Sequence, residues 1–234
     1  MQRQSIDLSK FKGPSKEQKR QMKLNLFRQQ MANYKTGNIT INFVPDGATD
    51  LTWVKLPEVV YGDFKCVAMR LTSLKGAPKQ IQGRFICYNN NLTSLQGGPV
   101  EVGKLFSCSW NKLTSLEGGP EKVGWDFSCA ANELTSLKGA PIEINGTFDC
   151  SGNKLTSLEG GPKLVDGSFN CLRNQLTSLK GSPTNVTEYF NCNDNPLTSL
   201  EGAPKVIGGK FISDVFSHED YINFINNPIN TENK

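Results

Sequence analysis

Hydrophobic positions recur along most of this chain with a period of 21 residues. The tetrapeptide Leu-Thr-Ser-Leu begins at Leu71, Leu92, Leu113, Leu134, Leu155, Leu176 and Leu197. Around it runs a frame in which a charged residue, Gly, Ala or Gly, and Pro lead to Val or Ile, then to Gly-x-Phe-x-Cys-x-x-Asn. Phe and Cys are two residues apart, so both point to one side of a short strand, while the two leucines close the core from the return side. Self-similarity at a fixed period marks a repeat array in which no coil buries its own faces, and stability comes from stacking. A degenerate coil opens the series, with Pro57, Val60, Gly62, Phe64 and Cys66 in frame and Leu51-Thr52-Trp53 approximating the tetrapeptide.

The frame predicts a parallel stack of about eight coils with Phe64, Phe85, Phe106, Phe127, Phe148, Phe169, Phe190 and Phe211 in one internal column and the cysteines in another. Asn90, Asn111, Asn132, Asn153, Asn174 and Asn195 fall where each strand turns, and their amides are expected to bond backbone groups that the turn leaves unpaired. After the tetrapeptide, the sign of Glu117, Lys138, Glu159, Lys180 and Glu201 alternates, which favours attraction along the stack and fixes register.

The two ends depart from the frame. Ser15-Lys16-Glu17-Gln18 reads as a capping box for a helix over roughly 16–34, with Leu24, Phe27, Met31 and Tyr34 as its apolar stripe. Ile39, Ile41 and Phe43 then alternate like a strand, so residues 1–46 form a basic N-terminal cap. Residues 47–213 form the solenoid. Over 214–234 the expectation is a capping helix opened by Ser217-His218-Glu219-Asp220, with Phe216 and Tyr221 as a hydrophobic staple, Pro228 as its stop and a frayed tail. With both ends capped, the chain is expected to be complete.

The motif F-x-C-x-x-N-x-L-T-S-L resembles the core of leucine-rich repeats, with Phe and Cys in two of the usual leucine positions. The LTSLEGAP form resembles short repeats encoded by tailed bacteriophages and bacteria. Over residues 50–213 the resemblance implies a leucine-rich-repeat solenoid with a parallel β-sheet on its concave face. It carries no active-site residues, and such repeats serve many partners.

Composition narrows the function classes. No apolar run nears the ~20 residues that span a bilayer, and the N-terminus lacks a secretory pattern, so a cytoplasmic protein without membrane association is expected, in a host cytosol or a virion if phage-encoded. The 7 cysteines are odd in number and regularly spaced, which points to reduced structural thiols. Thiols in a straight column cannot surround a metal ion, no phosphate-loop pattern occurs, and the one histidine, His218, reads as an ordinary exposed helix residue. The expectation is therefore no enzyme, no metal and no cofactor.

What differs between coils is the outward side of the Phe strands, where Arg84, Tyr88, Trp110, Asp126, Asp149, Asn170, Arg173 and Tyr189 form the candidate binding face for a host or virion protein. Isolated exposed aromatics are also common on surfaces that bind nothing. The net charge of +4 is uneven: residues 1–37 hold 9 Lys/Arg against 2 Asp/Glu. Lys16, Lys19, Arg20, Lys23 and Arg28 are thus the candidates for an alternative, a nucleic-acid-associated protein anchored by its basic arm, although a solvated helix face has the same composition.

Overall fold

A computed structural model describes residues 16, 17, 20–22, 24, 25, 37–41 and 44–227. It is a β-solenoid of eight coils, here numbered 1 to 8 by their phenylalanines from Phe64 to Phe211. Each coil carries two strands of two residues. One series comprises β3 (Phe64–Lys65), β5 (Phe85–Ile86), β7 (Phe106–Ser107), β9 (Phe127–Ser128), β11 (Phe148–Asp149), β13 (Phe169–Asn170), β15 (Phe190–Asn191) and β17 (Phe211–Ile212). Together with β1 (Ile39–Thr40) from the N-terminal segment they make a nine-stranded parallel sheet, in strict 21-residue register from β3 onward.

The second series is a finding the sequence reading did not anticipate. It comprises β2 (Val59–Val60), β4 (Gln80–Ile81), β6 (Glu101–Val102), β8 (Lys122–Val123), β10 (Glu143–Ile144), β12 (Leu164–Val165), β14 (Asn185–Val186) and β16 (Val206–Ile207). The x-(Val/Ile) step before the corner glycine is itself a strand whose apolar residue turns inward: Ile81, Val102 and Ile144 are buried while Gln80, Lys122 and Glu143 are exposed. These strands form two four-stranded parallel sheets, β2-β4-β6-β8 and β10-β12-β14-β16, and no pairing joins β8 to β10.

The core is one continuous column. The eight phenylalanines are at most 3% exposed, and successive rings stack with centroids 5.1 to 5.9 Å apart. The cysteines are free and buried beside them. They are more than small hydrophobes, because the thiols of Cys108, Cys129, Cys150, Cys171 and Cys192 each donate to a carbonyl of the next coil, as Cys129 Sγ does to Asp149 O at 3.4 Å. Burial pushes the Cys66 thiol up to about 12 and raises the others likewise.

The asparagine ladder clamps coil to coil. Asn132 Oδ1 accepts from the Leu113 amide of the preceding coil at 3.0 Å, and its Nδ2 donates to Cys108 O of that coil and to Cys129 O of its own. The same pattern repeats at Asn111, Asn153, Asn174 and Asn195. The expected charge ladder is present in pieces: Lys138 pairs with Glu117 and Lys180 with Glu201, both across one coil junction, while no ion pair of Glu159 occurs among the described residues. Glycine after the charged residue is required, since Gly76 has φ +88 and a Cβ there would lie 2.7 Å from the Leu51 carbonyl carbon.

Both ends are closed. β1 pairs with β3, Ile39 and Ile41 are buried, and the Ile41 amide donates to Lys65 O at 2.7 Å. Residues 16, 17, 20–22, 24 and 25 are helical and Leu24 is buried. The rest of the expected 16–34 helix, including Phe27, Met31 and Tyr34, lies outside the described residues, as do Ser15, Gln18, Phe43 and Pro228–Lys234. At the other end, helix α1 (His218–Asn226) opens with a full capping box between Ser217 and Asp220. Tyr221 stacks on Phe211 with centroids 5.1 Å apart, so it adds a ninth ring to the column, and its hydroxyl donates to Pro204 O. His218 also has a specific role: its Nδ1 accepts from the Phe211 amide at 3.1 Å, replacing the carbonyl that a further coil would supply.

Candidate binding surfaces

The outward side of the nine-stranded sheet is set by the strand period of two, so residues beside the buried Phe and Cys turn away from the core; those that follow Phe are mostly half-buried, and Ser107 and Ser109, beside Trp110, are buried. The third residue after this strand lies in the left-handed region in coil after coil: φ is +56 at Ala68, +57 at Asn89, +56 at Trp110, +53 at Ala131, +64 at Gly152, +55 at Arg173 and +55 at Asp194. Asn, Asp and Gly tolerate that conformation; for a bulky side chain it is costly. Trp110 accepts it and is 67% exposed. Trp110 and Arg173 thus sit on the corner just after the strand.

The eight predicted residues do not act alike. Arg84 is tied to Asp63 of the preceding coil by two bonds, the shorter 2.7 Å, and this guanidinium holds the Asp63 carboxyl below its usual range. Asp126 Oδ1 accepts from the Thr147 amide at 2.8 Å, and Asp149 Oδ1 from the Ser151 amide at 3.0 Å. Arg173 pairs with Asp194 at 3.1 Å. The carbonyl of the half-buried Asn170 serves the ladder by accepting from Cys150. Arg84, Asp126, Asn170 and Arg173 are thus engaged across coil junctions, and Asp149 within its own coil. Tyr88, 42% exposed, and Trp110 are one coil apart, and the Asn89 amide donating to Ser109 O places their corners side by side. Tyr189 is exposed too, but four coils beyond Trp110.

Of the basic arm, Lys16 and Arg20 fall among the described residues; Lys19, Lys23 and Arg28 do not. The Arg20 guanidinium donates to Glu17 at 3.1 Å and to Asp46 O at 2.7 Å, so it fastens the helix to the loop before coil 1.

A recess that the sequence did not signal lies on the other face. A cleft of about 690 Å3 is lined by residues 80–82, 101–103, 121–124, 142, 143 and 145, across four coils of the second series of strands. It includes the junction where pairing lapses. Elsewhere on this face the amides at Val100 and Glu101 share Lys79 O, and the Gly103 amide donates to Ile81 O. Between coils 4 and 5 the equivalent bonds, from Ile142 and Glu143 to Glu121 O and from Asn145 to Val123 O, are not formed.

The lapse coincides with a change at the corner. Its first position reads Tyr61, Gln82, Gly103, Gly124, Asn145, Asp166, Thr187 and Gly208 through the coils. At Gly103, Gly124 and Gly208 the chain approaches so closely that a Cβ would run into the carbonyl oxygen of the preceding coil. Asn145 is the one place where a side chain at this position follows a glycine, so the close approach that Gly124 makes to Gly103 O is not repeated by coil 5 on coil 4.

Among the described residues no group of three or more His, Cys, Asp or Glu is placed to hold a metal ion, and no helix is long and apolar enough to cross a membrane. Comparison of the chain with protein-family models, curated proteins and solved structures finds no match.

Proposed function

We propose that the protein is a non-enzymatic interaction module that binds a protein partner through the outer face of its nine-stranded sheet, anchored on Tyr88 and Trp110. One observation carries this reading: Trp110 is held 67% exposed on a left-handed corner. A tryptophan there costs the fold on the order of 1 kcal/mol and leaves most of its ring in solvent, so it serves something other than packing. A rigid aromatic on a stacked scaffold loses little entropy when a partner covers it, and Tyr88 beside it enlarges the patch to hot-spot size. The resemblance to phage-type repeats suggests a bacterial host or virion protein as the partner and a host cytosol as the place.

The test is affinity purification from bacterial lysate and virion preparations with the wild-type chain and Trp110→Ala in parallel. A protein retained by the first and lost with the second supports the reading; equal retention by both refutes it. Binding of nucleic acid by the basic arm is the weaker reading because Arg20 is occupied by Glu17 and Asp46. It requires a mobility shift of DNA or RNA at low salt that disappears steeply as salt rises.

A further inference from the structure

The lapse between β8 and β10 leaves unpaired backbone groups whose counterparts at the other junctions of this face are bonded, the Asn185 amide excepted. Three amides, of Ile142, Glu143 and Asn145, and two carbonyls, of Glu121 and Val123, have no hydrogen-bond partner among the described residues. They lie in the walls of the 690 Å3 cleft. Apart from Val123 the residues that carry these groups are exposed, so water reaches the cleft, and a ligand that takes the place of that water must bring both donors and acceptors. An extended peptide presents the two alternately along its length, which is the basis of strand addition.

The side chains narrow the choice further. Glu121 and Glu143 are exposed on either side of the lapse, and Glu101 lies one coil away. The one lysine of the lining, Lys122, is paired with Glu101 at 3.4 Å, so the lining has a net charge of −2. That field repels nucleic acid and acidic segments and attracts cations. Ile142, 70% exposed at the same junction, offers an apolar contact for the aliphatic stem of a long side chain.

We propose that this cleft is a second binding site, on a different sheet from the one that leads to Tyr88 and Trp110, for an extended segment of a partner protein rich in lysine or arginine. The segment lies across the β8–β10 junction, bonds the free amides and carbonyls with its main chain, and sets its cationic side chains against Glu121 and Glu143. The site does not depend on the aromatic patch.

The experiment uses the full chain and two fluorescein-labelled octapeptides, one alternating lysine and threonine and one alternating glutamate and threonine, in anisotropy titrations at low ionic strength. The lysine peptide is expected to bind saturably and the glutamate peptide not to bind. The double variant Glu121→Lys, Glu143→Lys should weaken the lysine peptide by about tenfold or more, while Trp110→Ala leaves it unchanged. Amide exchange read on the wild-type protein provides a measure independent of any variant. The amides of Ile142, Glu143 and Asn145 should exchange faster than those of Val100, Glu101 and Gly103, and slow when the lysine peptide is added.

The proposal is overturned if the lysine peptide fails to bind, if the glutamate peptide binds equally, or if binding leaves those three amides unaffected. Concentration-dependent self-association abolished by the double variant would assign the cleft to a second copy of the chain and overturn it as well. Because Trp110→Ala is silent in this assay, failure here leaves the aromatic-patch reading standing, and failure of that reading leaves this one.

Discussion

At Asn132 one primary amide satisfies an amide and a carbonyl of the preceding coil and a carbonyl of its own. No other side chain of that length carries two donors and an acceptor; aspartate, even when protonated, has one donor. Asn132→Ala orphans the Leu113 amide, while the Cys108 and Cys129 carbonyls keep a donor each in Asn111 and Asn153; it is expected to cost about 2 kcal/mol, read as a shift in the denaturant midpoint. Two aromatic residues of neighbouring position separate fold from function in the same way. Phe106→Ala opens a cavity between stacked rings and should cost roughly 3 to 5 kcal/mol, whereas Trp110→Ala should leave the midpoint near or slightly above that of the wild type, because alanine is strained less on a left-handed corner. If Trp110→Ala destabilises as Phe106→Ala does, Trp110 is a structural residue.

The buried thiols add a pH dependence whose sign follows from their direction of shift. Burial holds the Cys66 thiol at about 12 against an ordinary 9.0, so between these values the unfolded chain has released a proton that the folded chain retains. Stability is then fully present below about pH 9 and falls as pH rises above it, by as much as about 1.4 kcal/mol per thiol for each pH step. Denaturant midpoints measured from pH 8 to pH 10.5 should show this decline. Its slope should be smaller in Cys129→Ala, and an identical slope would mean that this thiol is not withheld from solvent.

Elements were legible from the sequence to very different degrees. The Phe-x-Cys strand was readable because both of its inward residues are large or distinctive and recur eight and seven times. The second strand was not, because it has one inward residue, Val or Ile, next to a variable neighbour, and a single apolar position has no period. The asparagine turns were located correctly, yet their left-handed corner residue was invisible: Ala, Asn, Trp, Gly, Arg and Asp share no side-chain property. Tyr88 was placed correctly among the exposed residues by alternation alone. The salt bridges that occupy Arg84 and Arg173 depend on which residue lies 21 positions away, and this can be read only after the stacking register is known. At the C-terminal edge, His218→Ala is expected to cost about 1 kcal/mol by orphaning the Phe211 amide. Hydrogen exchange at Phe211 checks it, since loss of the imidazole acceptor should speed exchange there before any change reaches coil 4.

For the molecule as a whole, stability is a sum of coil-to-coil interfaces, and the terminal interfaces matter because a bare coil offers an open sheet edge. Deleting residues 1–46 removes β1, which frees the carbonyls of Asp63 and Lys65 from the Ile39 and Ile41 amides and uncovers the first ring of the column. The truncated chain is expected to aggregate, detected by light scattering, and a monomer with unchanged melting temperature would contradict a capping role.

The lapse between coils 4 and 5 also divides the array mechanically. There the Phe sheet continues while the second face contributes no hydrogen bonds, so this interface is the weakest joint in a line of otherwise similar ones. In a nearest-neighbour chain the weakest joint decides where cooperativity breaks. Pulled from its two ends, the protein should therefore yield in two blocks of four coils, with a length plateau near half extension, and the block boundary should fall at Asn145. Replacing that residue with glycine, which lets coil 5 settle on Gly124, should merge the two events into one.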